Sequence, residues 1–471
     1  MKFLLFFILI ISFYSCKKNE KIKRPNIILV MTDDQGWGQT GYYNHPVLDT
    51  PNLDAMAKNG IRFDRFYAGA PVCSPTRASV LTGRSNDRTG VFNHGYALRN
   101  QEKTITQALK KNGYATGHFG KWHLSGLRGP GVPQFKEDTH HPGNFGFDYW
   151  ISTTNFFDID PLMSDNGKFT DYIGSSSKVI FSEALKFIKK NKNKNIPFFV
   201  VIWDGSPHDP WVASSKDKNN FKELDKDSQN HYGELVAFDR NLGYLREELK
   251  AMDISQNTIL WFCSDNGGLK KINPTTVAEL RGFKGSVWEG GLRVPGIIEW
   301  PSNIKHKITS FPASTMDIFP TIAEIVELDK SNFIEPVDGI SLVPLFNSKI
   351  KRRGKKIPFS FNDQGALIDN NFKLVVNSYE EMQFELYDIQ IDPKELKNIA
   401  LQNPKVFNKM KSEYLNWKES VISSVKGYDY PGDTLFNQPF RRFWMNDKKY
   451  EPFLKEFIKR PEYEKRIKRR K

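Results

Sequence analysis

Cysteine is scarce: the chain has three in 471 residues, too few and too scattered for a disulfide framework. No apolar run reaches the ~20 residues that a spanning helix needs. There is no internal repeat and no low-complexity tract, which excludes solenoids and low-complexity tails. Acid is in deficit, with 54 Asp and Glu against 68 Lys and Arg, a net charge of +14. A basic surface attracts polyanions: nucleic acid, anionic lipid, or sulfated and uronic polysaccharides. The last 21 residues, Glu451 to Lys471, hold nine Lys or Arg against four Glu. What is present is a globular composition, 13% aromatic, with length for more than one domain.

The longest apolar run, Phe3 to Phe13, follows Lys2 and precedes Tyr14-Ser15-Cys16-Lys17-Lys18. A charged start and a short apolar stretch make a secretory signal. A small residue directly before Cys16 resembles the bacterial lipobox, which implies a signal peptide over residues 1–15 and lipidation of Cys16. The expected product is an exported cell-envelope lipoprotein, at the outer membrane and held by its lipid anchor alone. Export leaves no role for nucleic acid.

Three apolar runs end in acidic or imidazole residues. Asn26 to Met31 leads to Asp33-Asp34, Pro197 to Trp203 leads to His208, and Thr258 to Cys263 leads to Asp265-Asn266-Gly267. Uninterrupted apolar strands suit a parallel sheet covered on both faces. Ligands of such sheets bind beyond the carboxyl ends of the strands. Helical patterns at Pro51–Gly60, Ser79 onward, Thr104–Asn112, Ser176–Asn191, Asp227–Met252 and Ser314–Val326 alternate with them. The pattern predicts an α/β domain over residues 23–346. The basic run Lys349 to Lys356 reads as an exposed linker. Strands near Phe359, Phe372–Val376 and Phe384–Tyr387, then a helix around Lys405–Ser420, predict a smaller C-terminal α+β subdomain over 347–440. Residues 441–471 read as a basic tail. Cys263 reads as a buried strand residue.

The remaining cysteine opens the run Cys73-Ser74-Pro75-Thr76-Arg77. Pro75 suits a first helical turn, where its missing N–H is no loss. Arg77 lies one turn on and returns to the face of Cys73. Cys73 would then sit where a helix N-terminus favours an anion. Asp33, Asp34, Asp265 and Asn266 form an all-oxygen set, which selects Ca²⁺ or Mg²⁺. Gly120-Lys121-Trp122-His123 places a lysine and a histidine two apart, on one side if the backbone is extended. His208 stands in Pro207-His208-Asp209-Pro210, and Lys284 stands between glycines in Arg281-Gly282-Phe283-Lys284-Gly285, where backbone can approach a ligand.

In this order the motifs D-D, C-x-P-x-R, G-K-W-H, P-H-x-P, D-N-G and G-x-K-G resemble those of the type I sulfatases. Trp288-Glu289-Gly290-Gly291 and Leu386-Tyr387-Asp388 continue the likeness, which runs from about Pro25 to Ala400. Thr76 stands where the family usually has Ser or Ala. The resemblance implies an alkaline-phosphatase-like fold: a central mixed, mostly parallel sheet flanked by helices. It also implies oxidation of Cys73 to formylglycine (3-oxoalanine) by a formylglycine-generating or anaerobic sulfatase-maturating enzyme. One Ca²⁺ would be held by Asp33, Asp34, Asp265, Asn266 and modified Cys73. Arg77, Lys121 and Lys284 would grip the sulfate. His208, with Lys284, would protonate the leaving sugar oxygen, and His123 would deprotonate the second hydroxyl of the aldehyde hydrate so that sulfate is expelled.

The implied activity is that of a sulfuric ester hydrolase acting on a sulfated polysaccharide or its oligosaccharides. The marine algal type, such as ulvan or carrageenan, is favoured. Glycosaminoglycan sulfatases, and phosphodiesterases or phosphonate hydrolases of the same superfamily, are the alternatives within that chemistry. A non-catalytic glycan-binding envelope protein would need a damaged residue set, and none of these positions is damaged. Candidate sugar contacts are His94, His118, His140, His141, Trp211 and Arg240.

Overall fold

The structure is a computed structural model and describes residues 24–157, 159–347 and 350–468. The expected signal segment 1–15, Cys16 and Lys349 lie outside the described residues. Among the described residues, no helix is long and apolar enough to cross a membrane.

The three apolar runs form adjacent parallel strands at the centre of an eleven-stranded sheet. Asn26–Thr32 lies between Thr258–Ser264 and Phe198–Trp203. Met31 faces Trp203 on one side and Cys263 on the other, so all three strands end level. Ala115–Lys121 and Tyr149–Thr153 extend the parallel part. Beyond them Leu162–Asp165 and Lys168–Asp171 run antiparallel. On the opposite side Arg293–Glu299 pairs antiparallel with both Thr258–Ser264 and Ile61–Tyr67. Lys307–Thr309 and Ala313–Ser314 close that edge in parallel with Ile61–Tyr67. The sheet is mixed and mostly parallel, flanked by helices, as expected.

Alternation of side chains explains why the central strands are apolar throughout. Ile27, Leu29 and Met31 enter one core with Val201, Trp203, Trp261 and Cys263, under the helices Cys73–Thr82 and Ile105–Lys111. Ile28 and Val30 enter the other core with Val200, Ile202 and Phe262, under Ser176–Lys192 and Lys226–Ala251. Each fully buried side chain of this size contributes about 1.5–3 kcal/mol. Two-sided burial therefore outweighs strand propensity.

A second sheet is an antiparallel meander of Ile357–Phe361, Gln364–Asp369, Phe372–Ser378 and Gln383–Asp388. Helix Pro404–Val425 covers one face through Met410 and Tyr414. On the other face, Ile357, Phe359 and Val375 pack with Tyr67, Val72, Leu292 and Met316 of the large domain.

Two expectations fail here. The basic run is not a wholly exposed linker: Arg353 is 4% exposed, and its guanidinium makes a bidentate pair with Asp317 at 2.6 and 2.7 Å. Buried Asp317 needs a counter-charge, and Arg353 supplies it. Nor are the described residues of the expected tail, 441–468, a solvated basic segment. Arg442–Phe443 pairs with Leu127–Arg128. Trp444, Tyr450, Phe457, Tyr463 and Ile467 are buried with Leu127, Val132 and Leu162. Trp444, Tyr450 and Tyr463 donate to the carbonyls of Pro130, Pro133 and Gly131 at 2.8, 2.9 and 2.6 Å. Apolar bodies with polar tips dock this lobe onto the 127–133 loop.

Candidate active site

Level strand ends bring the polar residues together. Asp33 and Asp34 follow one strand, Asp265 and Asn266 the next, and Asp204 to His208 the third. Backbone bonds continue the register past the strands: Asp265 N donates to Thr32 O at 3.1 Å, and Asp33 N donates to Ser206 O at 3.0 Å. Cys73 is the first residue of Cys73–Thr82, whose ten residues are all buried. Thr76 pins the approach to it, donating to Ala70 O at 2.9 Å and accepting from Ala70 N at 3.0 Å. Ser74 Oγ donates to His123 O at 2.6 Å. The motif thus ties two neighbouring loops to the nucleophile position.

Lys121 ends its strand, and His123 follows at φ +55°. The backbone there is left-handed rather than extended, so the two side chains do not share a side by alternation. Lys121 turns under the site to Asp33, while His123 reaches the cavity. Asp34 is also left-handed, at φ +67°. Such conformations are uncommon for residues with a side chain, and here they sit where the polar groups converge.

Asp33, Asp34 and Asp265 offer oxygens within 4.8 Å of one another, and Asp33, Cys73 and His208 form an overlapping group. Arg77 bonds Asp265 at 2.6 Å and Asp33 at 3.3 Å, donates to Lys121 O at 2.9 Å, and stacks over Trp203. Lys284 meets both oxygens of Asp34, at 2.6 and 2.8 Å. Three carboxylates therefore face three cations. Burial alone would raise Asp33, but Lys121, His208 and Arg77 hold it well below the ordinary carboxylate range. Burial and the Asp33 charge push Asp265 up despite Arg77. Burial also pushes the Cys73 thiol up to about 12, against the pull of Lys121 and Lys284.

A cavity of about 580 Å³ opens above Cys73, lined by His94, His123, Asn155, Phe156, His208 and Lys284 among others. Both ring nitrogens of His123 are buried without a partner. Burial, with Lys121 and Arg77, holds that ring well below its usual pKa and so neutral. His208 Nδ1 lies 2.6 Å from Asp209 O, which assigns the donor to Nδ1. Its Nε2 faces Asp34 at 3.9 Å, and Phe156 stacks on the ring. Burial, with Lys284 and Lys121, lowers its pKa as well.

The glycines of D-N-G and W-E-G-G each lie against backbone: a Cβ on Gly290 would stand 2.2 Å from Gly282 O, and one on Gly291 2.0 Å from Ser286 O. Gly267 N donates to Gly291 O at 2.9 Å, and a Cβ on Gly267 would stand 1.9 Å from Gly290 O. Only glycine permits that backbone approach.

Residues 25–328 match the sulfatase family model, and 283–420 match that of the N-sulphoglucosamine sulphohydrolase C-terminal region. The chain belongs to the sulfatase family. N-acetylgalactosamine-6-sulfatase of Sus scrofa is 33% identical over 358 residues, covering 68% of this chain and 65% of that protein. The chain thus spans just under two thirds of the length of the first curated relatives it matches. The ulvan-active sulfatase of Formosa agariphila is 29% identical over 367 residues, covering 71% and 70%. The crystal structure of Ps i-CgsB in complex with k-i-k-neocarrahexaose has TM-score 0.75 and 26% identity, over 94% of this chain and 100% of that one.

In this member of the sulfatase family, all ten predicted positions from Asp33 to Lys284 converge, but at two depths. Cys73, His123, His208 and Lys284 line the cavity, whereas Arg77 and Lys121 lie beneath it, fully buried against the aspartates. Of the suggested sugar contacts, only His94 is at the cavity. His118 is a core residue bonded to Ser152 between Trp122 and Trp203. His140 bonds Gln438, His141 stacks on Trp150, Trp211 donates to Pro207 O, and Arg240 pairs with Asp217. Sequence reasoning missed Arg128, Asn155, Phe156, Phe443, Glu462 and Arg466 in the lining. A signal existed for the last three: Tyr450, Phe453, Phe457 and Ile458 recur at helical spacing, in a stretch read by its charge alone.

Proposed function

We propose that this chain hydrolyses sulfate esters of a sulfated polysaccharide or its oligosaccharides, using Ca²⁺ and formylglycine at position 73. The observation that carries the reading is the placement of Cys73. It stands at a helix N-terminus on the cavity floor, with His123, His208 and Lys284 around it and the oxygen cluster below.

The oxygen cluster fits a hard cation. Asp33 Oδ1 and Asn266 Oδ1 are buried acceptors with no donor, and such atoms call for a partner. An all-oxygen donor set suits Ca²⁺ or Mg²⁺ over zinc. Asp33, Asp34, Asp265, Asn266 and modified Cys73 would hold it. Asp33, Asp34 and Asp265 balance Arg77, Lys121 and Lys284, so a bound dication leaves the site at +2 to face an anionic ester.

When present, the cation supplies charge against the ester oxygens, and the hydrated aldehyde supplies one hydroxyl to attack and a second that allows release. The chain's own residues do the rest. Lys284, 22% exposed in its side chain, meets the ester oxygens at the cavity edge. The Asp209 carbonyl holds Nδ1–H of His208 so that Nε2 faces the cavity, and in the imidazolium form, which Asp34 and Asp33 favour, the Nε2 proton passes to the departing sugar oxygen. His123, neutral and without a partner, accepts a proton.

Algal polysaccharide is the favoured substrate class, supported by the ulvan-active relative and by the neocarrahexaose bound in the similar crystal structure. The second reading, a glycosaminoglycan sulfatase, is favoured by the N-acetylgalactosamine-6-sulfatases at 30–33% identity. Cys73 is 1% exposed, so a formylglycine-generating or anaerobic sulfatase-maturating enzyme acts before this helix closes. Cys16 lipidation would place the product in the cell envelope, at the outer membrane; labelling with a fatty acid, lost in Cys16→Ala, tests that.

The deciding experiment co-expresses a maturase and reads residue 73 by mass spectrometry. Sulfate release is then assayed on ulvan, carrageenan and chondroitin sulfate oligosaccharides, with and without chelator. Formylglycine, chelator-sensitive release and a dead but folded Cys73→Ala are expected. Full release by Cys73→Ala would overturn the reading.

A further inference from the structure

From Cys73 the cavity runs outward to Arg128, Phe443, Pro461, Glu462 and Arg466. Beside it two guanidiniums converge on the His94 imidazole, Arg128 from the lining and Arg441 from outside the lining. Arg441 lies 3.0 Å and Arg128 3.5 Å from His94 Nε2. His94 Nδ1 and backbone N both face Asn93 Oδ1, at 2.9 and 2.8 Å. With Nδ1 donating to Asn93, Nε2 is left to accept from arginine, so the ring is neutral. Burial and the two arginines agree, pushing His94 down to about 4.

The arginines are positioned by ring faces rather than by acids. Arg128 lies over Phe443 at 4.7 Å, and Arg441 over Tyr96 at 5.2 Å. Neither has an acidic partner among the ion pairs of the described residues, and Arg441 Nε is buried with no partner at all. Each guanidinium carries five N–H donors, and one imidazole nitrogen uses few of them. Two cations held together without an anion repel, and that arrangement is stable only if something negative completes it.

We propose that His94, Arg128 and Arg441 form an anion subsite for a second negative group, sulfate or carboxylate, on the saccharide whose ester reaches Cys73. The His94 and His123 ring centroids are 6.4 Å apart, so the subsite adjoins the reacting position. Arg441 lies beyond residue 420, where both family matches have ended. His94 and Arg128 lie within the sulfatase match, and the C-terminal lobe adds the second guanidinium. This deepens the proposed function and rests on it.

The test compares matured wild type with Arg128→Gln, Arg441→Gln and Arg441→Lys. Substrates are 4-nitrophenyl sulfate, a neutral monosulfated disaccharide, a disulfated disaccharide and a sulfated uronate disaccharide. The Gln variants should raise KM at least about 10-fold on substrates with a second anion, with kcat held. They should stay within about 2-fold on the first two substrates, and Arg441→Lys should recover part of the loss. Whichever dianionic substrate suffers more identifies sulfate or carboxylate. Equal changes on all four, or none, overturn the subsite. Wild type that turns over nothing would sink the proposed function instead. Calorimetric affinity for the disulfated disaccharide would then still read the subsite, with weaker binding by the Gln variants supporting it and equal binding refuting it.

Discussion

Depth separates residues that their motifs make look alike. Arg77 and His123 both come from sulfatase signatures, yet Arg77 is enclosed between Asp33, Asp265 and Trp203, whereas His123 offers two free nitrogens to the cavity. Removing the guanidinium strands two carboxylates in a dry site, a loss of about 3–5 kcal/mol for a buried pair. Arg77→Ala should therefore lower the thermal midpoint sharply. His123→Asn keeps a residue suited to φ +55° and breaks no hydrogen bond of the ring. It should cost kcat about 10²–10⁴-fold with the midpoint nearly unchanged. Thermal scans beside rate measurements check both, and a stable, inactive Arg77→Ala would show that it acts on substrate rather than as a brace. Motif spacing revealed that these residues belong together. It could not reveal which lie behind the others, because order along the chain carries no information on depth. His118 and His123 differ by five positions, and one is core while the other faces the cavity.

At the level of elements, apolar runs and polar ends were readable wherever burial is two-sided, as in Asn26–Thr32, Phe198–Trp203 and Thr258–Ser264. Ala115–Lys121 was not, since its sequence, Ala-Thr-Gly-His-Phe-Gly-Lys, has no strand signature. It is a strand because it fits between Phe198–Trp203 and Tyr149–Thr153, and such tertiary context overrides propensity. Helix Cys73–Thr82 lacks a polar face for a similar reason: every side is covered. The turns joining elements are equally constrained. A methyl group on Gly267 would meet the Gly290 carbonyl at 1.9 Å, and that carbonyl is backbone with nowhere to retreat. Gly267→Ala should cost about 1–3 kcal/mol through overpacking and displace Asn266 beside it. Lower thermal stability together with weaker Ca²⁺ binding at the proposed metal site is the expected pair of results. An unchanged melting curve would mean that the turn yields more easily than its contacts suggest.

On the scale of the whole molecule, charge was the least reliable guide. Arg353 and the segment after 440 read as solvated because they are basic, yet one neutralises Asp317 and the other lines the cavity with Phe443, Pro461, Glu462 and Arg466. Burial equally decides how the molecule responds to acid. His231 is 0% exposed, and its Nε2 lies 2.7 Å from Gln39 Nε2. Trp211, Tyr232 and His45 surround it, and burial pushes its pKa down to about 3. An unfolded imidazole titrates near 6.5. Between the two values the unfolded chain binds the extra proton, so stability rises with pH across this window. The contribution is complete above about pH 6.5 and falls by about 2 kcal/mol on reaching pH 5, at 1.36 kcal/mol per unit. Asp265 and Glu395, both raised by burial to about 7, act in the opposite direction, so the wild-type slope alone cannot isolate the histidine. His231→Gln keeps an acceptor for Gln39 and removes the titration. Its stability deficit relative to wild type should shrink by about 2 kcal/mol between pH 7 and pH 5. Denaturant titrations at both pH values measure this, and parallel pH profiles for the two proteins would show that His231 is solvated before the chain unfolds.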